Sequence, residues 1–209
     1  MTDFLDIVSS EEEIRKMIGY SSELVNNKSI NYLDIHCKEF ISLSPMIFIS
    51  TSDNNGLCDV SPRGDAPGFV QILDDKRLVI PERPGNRRID SMRNILKNPK
   101  IGLIFIIPGL EETLRVNGEA RIIKNEDILN MMKVNEKPPL LGIGVVVEEC
   151  YMHCAKAFKR SRLWDHDSWI EKPKLPNPAL IISKHASKLG KTEEEVSEAL
   201  EESYTKRLY

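Results

Sequence analysis

The chain has 209 residues, with 29 Lys and Arg against 32 Asp and Glu, for a formal net charge of −3. That length suffices for one large domain or two small ones around a substantial apolar core, and the acidic balance argues against a general nucleic-acid binder, which carries a basic excess. No stretch approaches the roughly 20 apolar residues of a membrane-spanning helix, and the acidic opening Met1-Thr2-Asp3-Phe4-Leu5-Asp6 lacks the basic-then-apolar order of a signal peptide, so a cytoplasmic protein with no membrane partner is expected.

Residues 1–45 read as helical. Ser10-Glu11-Glu12-Glu13 has the order of a capping box, Ile14, Met17 and Ile18 supply an apolar face, and Gly19 is placed to end the helix. A second helix is predicted from about Asn31 to Leu43, with Leu33, Cys37, Phe40 and Ile41 inward and Ser44-Pro45 as its stop. Both are expected to cover a sheet.

From Met46 the pattern turns to strands. Met46–Thr51 is apolar and rich in strand formers, Asp53-Asn54-Asn55-Gly56 is a hairpin signal, and Leu57–Val60 is the predicted return strand. Ser61-Pro62-Arg63-Gly64-Asp65-Ala66-Pro67-Gly68 reads as a loop whose prolines and glycines fix an exposed backbone presenting Ser61, Arg63 and Asp65. The plainer reading is a solvent loop with an internal Arg63–Asp65 pair. Phe69–Leu73 and Arg77–Ile80 form the next predicted hairpin.

The stretch from Leu78 to Pro99 organises the rest. A short apolar run ends at Pro81, Pro84 and Gly85 exclude helix, and Ile89, Met92 and Leu96 then recur at helical spacing until Asn98-Pro99. Asn86 is the predicted N-cap, and Arg87 and Arg88 become the first helical residues. Two cations at a helix N-terminus oppose the macrodipole. They make sense if an anion sits there, since free N–H groups and guanidinium forks together suit a phosphate dianion. The alternative is a pair of solvated charges matched with Asp90 or Glu82.

Lys100–Ile107 is nearly continuously apolar, as expected of a central strand buried on both faces, and Pro108-Gly109 turns the chain. Thr113–Ile123 alternates in part, with Gly118 suggesting a bulge or a sharp bend at a barrel corner. A short helix over Glu126–Val134 leads to a last strand, Ile143–Cys150. Strands in hairpin order with few helices between them predict an antiparallel barrel of six or so strands, mainly β with flanking helices. His153–Trp164 reads as a helix placing Lys156, Arg160 and Trp164 on one face, either a ligand surface or a solvated stripe. A helical hairpin broken at Gly190, with a capping box at Thr192-Glu193-Glu194-Glu195, closes a tail over residues 165–209.

Cys37, Cys58, Cys150 and Cys154 are expected to be thiols rather than disulfides. Cys150-Tyr151-Met152-His153-Cys154 is not a C-x-x-C pair and has no matching second pair, so no metal site is assigned and buried cysteine is expected.

Three blocks together, Ser61-Pro62-Arg63-Gly64-Asp65, Ile80–Ser91 and Asn94–Pro99, resemble the pyridoxamine 5′-phosphate oxidase-like superfamily of FMN-binding split barrels. Pro108-Gly109, Glu112–Gly118 and His153-Cys154-x-Lys156-Ala157-x-x-Arg160-Ser161-x-Leu163-Trp164 extend the likeness over residues 46–164. The resemblance implies a single domain built on a six-stranded split barrel, a homodimer, and FMN between the subunits. It implies that Ser61, Arg63 and Gly64 line the flavin ring or ribityl chain beside Ile80 and Pro81. Asn86, Arg87 and Arg88 would hold the phosphate, and Lys156, Arg160, Ser161 and Trp164 would approach from the partner subunit. The substrate-holding motifs of the oxidase itself are not recognisable, so the expected function is an FMN-dependent oxidoreductase acting on an unidentified small molecule or electron donor. The alternatives are a flavin carrier or redox sensor without turnover, and a haem-binding split barrel with His153 as the candidate axial ligand.

Overall fold

The computed structural model describes residues 4–209; Met1, Thr2 and Asp3, which begin the acidic opening, lie outside the described residues. Strands β1 (Met46–Ser52) and β2 (Cys58–Gly64) form a hairpin whose turn is fixed by Asp53, Oδ1 of which accepts from the N–H groups of Asn55 (2.9 Å) and Leu57 (3.1 Å). A second hairpin joins the two-residue β3 (Gln71–Ile72) to β4 (Arg77–Pro81). Then come β5 (Lys100–Ile106), β6 (Thr113–Ile123) and β7 (Gly142–His153). All pair antiparallel in the order β2-β1-β5-β6-β7-β4-β3.

Burial alternates along β1, β2 and β5 while β4 is buried from Leu78 to Pro81, and the inward residues of β1, β4, β5, β6 and β7 (Ile49, Leu78, Phe105, Val116 and Val145 among them) meet in one apolar cluster. A sheet whose strands all feed one core must curl. The barrel nevertheless stays open, because β2 and β3 are edges with no ladder between them. Helix α4 (Asp90–Lys97) packs on β1, β2 and β6, burying Met92 and Ile95 and donating from Asn94 Nδ2 to Thr51 Oγ1 (3.1 Å), while Asn98 Nδ2 at its end donates to Ser52 Oγ (3.2 Å).

The predicted corner is present. The β6–β7 register shifts between Asn117 and Gly118, and a Cβ at Gly118 would lie 2.0 Å from the Val146 carbonyl oxygen. Only glycine lets the two strands approach so closely at the bulge.

Other expectations are corrected. Ser61–Gly64 is strand, not loop: the ladder with β1 runs to Met46↔Gly64, and β2 is an edge, where Pro62 costs no central hydrogen bond. β5 is buried on one face only, its other face carrying the half-exposed Ile104. β7 runs on through His153, displacing the predicted helix; α6 spans Lys156–Ser161 and ends at a left-handed Arg162, so Trp164 lies beyond it.

At the N-terminus, α1 (Glu11–Ile18) is capped by Ser10 as predicted but buries nothing, and its apolar face of Ile14, Met17 and Ile18 is exposed rather than laid on the sheet. A five-residue α2 (Glu23–Asn27) intervenes, and α3 (Ile35–Leu43) starts later than predicted because Asp34 caps it by accepting from Cys37 N–H. Leu33, Cys37, Phe40 and Ile41 are buried as expected. Helix α5 (Glu126–Asn130) is shorter than predicted. The tail pairs α7 (Pro178–His185) with α8 (Glu193–Lys206), whose Thr192–Glu195 capping box is present. Among the described residues no helix is long and apolar enough to cross a membrane.

Candidate functional site

The site is built where the edge of β2 meets the entry to α4. On a strand, alternate residues share a face, so Asp59, Ser61 and Arg63 point together toward the helix while Cys58, Val60 and Pro62 face away and are exposed. Ser91, in the first turn of α4, joins them: its Oγ donates to Asp59 Oδ2 at 2.6 Å and lies 2.9 Å from Ser61 Oγ. Arg63 Nη1 donates to Ser61 Oγ (3.0 Å) and to the Pro62 carbonyl (2.8 Å), and Arg63 Nε donates to Glu82 Oε2 at 3.2 Å. A continuous polar chain, Asp59–Ser91–Ser61–Arg63–Glu82, therefore crosses the open seam.

A second bridge extends it. Arg83 Nε donates to Asp65 Oδ2 at 2.6 Å, and the Tyr209 hydroxyl donates to Asp65 Oδ1 at 2.7 Å. Burial works against the Asp65 carboxylate, but hydrogen bonds from Tyr209, the Ala66 N–H and Arg83 outweigh it and hold the pKa below the ordinary value. The Arg63–Asp65 pair of the plainer, solvent-loop reading is not formed; each residue has a partner from the segment after β4 instead.

The arginine turn differs from its prediction in a way that matters chemically. Asn86 is not the N-cap. Its Oδ1 accepts from Arg88 N–H at 3.0 Å, and Arg87 (φ 60°) and Ile89 (φ 54°) are both left-handed, which postpones the helix to Asp90. A β-branched residue in that region costs of order 1–3 kcal/mol. Ile89 occupies the N-cap position and makes no capping bond, so the first turn of α4 has no N-cap side chain to accept from its N–H groups, and no other side chain accepts from them among the described residues. Arg88 is largely exposed and pairs with Asp90 at 2.8 Å, while Arg87 is exposed and has no ion pair among the described residues. Beside the turn lies a cleft of about 290 Å³ whose lining includes Arg88, Arg93 and Lys97 opposite Asp53, Asp59 and Asp90.

Of the predicted residues, Ser61 and Arg63 lie in the polar chain with Gly64 next to them on β2, and Arg88 lines the cleft with Asp59 at the other end of that strand; Asn86 and Arg87 belong to the same turn as Arg88 but have no hydrogen bond or ion pair to β2 among the described residues. Ile80 and Pro81 border the seam at the end of β4, but both are buried and offer backbone only. The α6 group stands apart. Lys156, Arg160 and Ser161 are exposed, and Ser161 Oγ is turned back onto the Phe158 carbonyl. Trp164 stacks on Phe158, its Nε1 donating to the Leu110 carbonyl at 2.9 Å, while Lys159 pairs with Glu111. Those contacts fasten α6 to the β5–β6 turn, and no hydrogen bond or ion pair links it to the seam among the described residues. His153 ends β7, exposed, with its ring against Tyr151. Cys154 is exposed rather than buried, and no cluster of metal-ligating side chains is present among the described residues.

Sequence reasoning missed Asp59, Glu82, Arg83 and Ser91, which hold the predicted arginine and serine in place. Alternation along β2 was the available signal, once Ser61–Gly64 is read as strand. It also missed a second groove of about 550 Å³ on the outer sheet face, where Phe48, Val60 and Ile104 lie beside Arg115 and Asn117.

An open antiparallel barrel with flanking helices is a split barrel. Residues 33–154 match the model of the pyridoxamine 5′-phosphate oxidase family, and the chain belongs to that family. Similar solved structures include a putative pyridoxamine 5′-phosphate oxidase from Lactobacillus delbrueckii (19% identity over 58% of this chain and 95% of that one, TM-score 0.47). HupZ from Group A Streptococcus is 22% identical over 57% of this chain and 92% of its own (TM-score 0.45). An FMN-binding protein from Syntrophomonas wolfei is 12% identical over 68% and 96% (TM-score 0.42). No curated protein matches the chain.

Proposed function

We propose that the chain is an FMN-binding flavoprotein that works as a homodimer and serves as an oxidoreductase for a small molecule. The observation that carries this reading is the uncapped start of α4 beside Arg87 and Arg88. Helix N–H groups without an N-cap side chain, the Arg87 guanidinium, and the Arg88 guanidinium that a ligand would share with Asp90 form a donor set for a phosphate dianion. Asn86 serves by fixing the turn that carries both arginines.

Along the seam, Arg63 is a donor fixed by Glu82 and by Ser61, whose own hydroxyl proton goes to Ser91, so its guanidinium is suited to hydrogen-bonding the ring or ribityl oxygens of a flavin, with the Ser61 and Gly64 backbone alongside. Bound flavin would supply the redox step, and this chain the binding, orientation and exclusion of water. Lys156, Arg160, Ser161 and Trp164 would complete the site from a second copy, since they do not reach the seam of their own chain. The half-exposed apolar outer face of β1 and β5 is the surface such a copy would cover.

The test is the visible absorption spectrum of the purified protein, with the released cofactor identified by mass. FMN in the released fraction is the expected result, and reduction of the bound flavin followed by reoxidation by a substrate marks turnover rather than carriage. Protein that is colourless and takes up no added FMN, or that releases haem, overturns the reading.

A further inference from the structure

Away from the seam, the core holds two thiols in contact. Cys37 lies in the first turn of α3 and Cys150 faces it from β7, with Sγ atoms 3.3 Å apart and both residues buried. Cys58 and Cys154 are exposed. The backbone on either side of the pair is held: Asp34 caps the turn at Cys37, and Cys150 exchanges both of its backbone hydrogen bonds with Ile30. The two thiols are not equivalent. Cys37 sits where a helix N-terminus favours a thiolate. Its pKa is lowered by the hydrogen bond from Cys150, against burial and Asp34, while the Cys150 thiol is pushed up by that same contact and by burial.

We propose that Cys37 and Cys150 are a redox-closable dithiol, oxidised by peroxide to an intramolecular disulfide that pins α3 to β7. Hydrogen peroxide is close to water in size, and Cys37 keeps 9% of its surface exposed. The Cys37 thiolate attacks one peroxide oxygen, the O–O bond breaks, and the hydroxide released takes a proton to become water, leaving a sulfenic acid. Cys150 sulfur then attacks Cys37 sulfur, the S–O bond breaks, and the departing hydroxide takes the Cys150 proton as a second water. Two thiols lose two electrons and one peroxide gains them. The sulfurs must close by roughly 1.3 Å to reach the bonded distance of about 2.05 Å. The bond would close a loop across a sequence separation of 113 residues.

The test treats the folded full chain with hydrogen peroxide, alkylates remaining thiols in denaturant, and maps peptides without reductant. The expected result is a Cys37–Cys150 cross-linked peptide two hydrogens lighter than its parts and released by dithiothreitol. With it, the Tm should rise by roughly 10 °C, as closing so long a loop implies. The double variant Cys58→Ser, Cys154→Ser keeps both effects. Recovery of Cys37 and Cys150 as alkylated thiols, cross-links to Cys58 or Cys154 instead, or a cross-link that leaves Tm unchanged overturns the proposal. None of these readouts depends on the flavin assignment.

Discussion

Arg83 and Asp65 join the two sides of a seam that no backbone ladder crosses, Nε to Oδ2 at 2.6 Å, with the Asp65 side chain 3% exposed and that of Arg83 15%. Asp65 follows the edge strand β2 and Arg83 follows β4, so the pair does laterally what hydrogen-bonded strands do elsewhere in the sheet. Removing one partner of a buried pair leaves the other charge without compensation, which costs about 3–5 kcal/mol. Asp65→Ala is expected to lower stability by about 3 kcal/mol, measured by urea unfolding. Asp65→Asn, which keeps one acceptor for Arg83 or Tyr209, should cost less. A loss under about 0.5 kcal/mol for the alanine variant, the size of an ordinary surface change, would show that the seam does not depend on this pair.

The same carboxylate sets a pH dependence. Asp65 has a folded pKa below its ordinary value, so its contribution is fully present above the unfolded pKa of about 3.9 and is lost as pH falls through the folded value. Other carboxylates are also depressed, Asp53 and Asp74 among them, so wild-type acid unfolding alone does not isolate it. The difference in unfolding free energy between wild type and Asp65→Asn does. It should be flat from neutral pH down to about pH 4 and shrink below that. A difference that stays constant through the acid range would exclude Asp65 as the titrating group.

Gly118 makes a separate test of the bulge. With Val146 oxygen 2.0 Å from its ideal Cβ, Gly118→Ala forces two paired strands apart. The expected loss is about 3 kcal/mol or more, a fall in Tm of roughly 6–12 °C for a chain of this size. Gly144 is the control on the neighbouring strand. Its Cβ would meet the Ile123 side chain at 3.3 Å and the Arg121 carbonyl oxygen at an ordinary 3.8 Å, so Gly144→Ala should cost less than about 1 kcal/mol.

The fold was legible where local signals agree. Asp53–Gly56, the Gly118 bulge, the Thr192 cap and the inward set Leu33, Cys37, Phe40 and Ile41 were all readable from turn chemistry and period. The misses share a cause. Ser61-Pro62-Arg63-Gly64 looks like a loop by composition, and only pairing with β1, a nonlocal fact, makes it a strand. Arg87 and Ile89 carry no local mark of a left-handed backbone; a β-branched residue there is what propensity argues against. For the site, the residue types were visible, but Glu82, Arg83 and Ser91 are partners supplied by folding. The apolar run of β5 was read as double burial, yet one chain covers only one of its faces.

The arginine turn yields the sharpest prediction about the proposed cofactor, because Arg88 already has a partner. Asp90 occupies the guanidinium that a phosphate would use, and an exposed pair of this kind is worth on the order of 0–1 kcal/mol. Asp90→Asn should therefore tighten FMN binding by a few-fold. Arg87→Ala with Arg88→Ala should weaken it by at least about 100-fold, at about 1.5–3 kcal/mol for each charge-assisted bond lost. Both effects belong to the phosphate, so neither variant should change the affinity for riboflavin, which lacks it. Titration of the apo-protein with each flavin, followed by quenching of flavin fluorescence, reads all these quantities. If the double arginine variant binds FMN as tightly as wild type, or loses riboflavin to the same degree, these arginines do not hold the phosphate. The anion reading of the α4 N-terminus would then give way to the solvated Arg88–Asp90 pair.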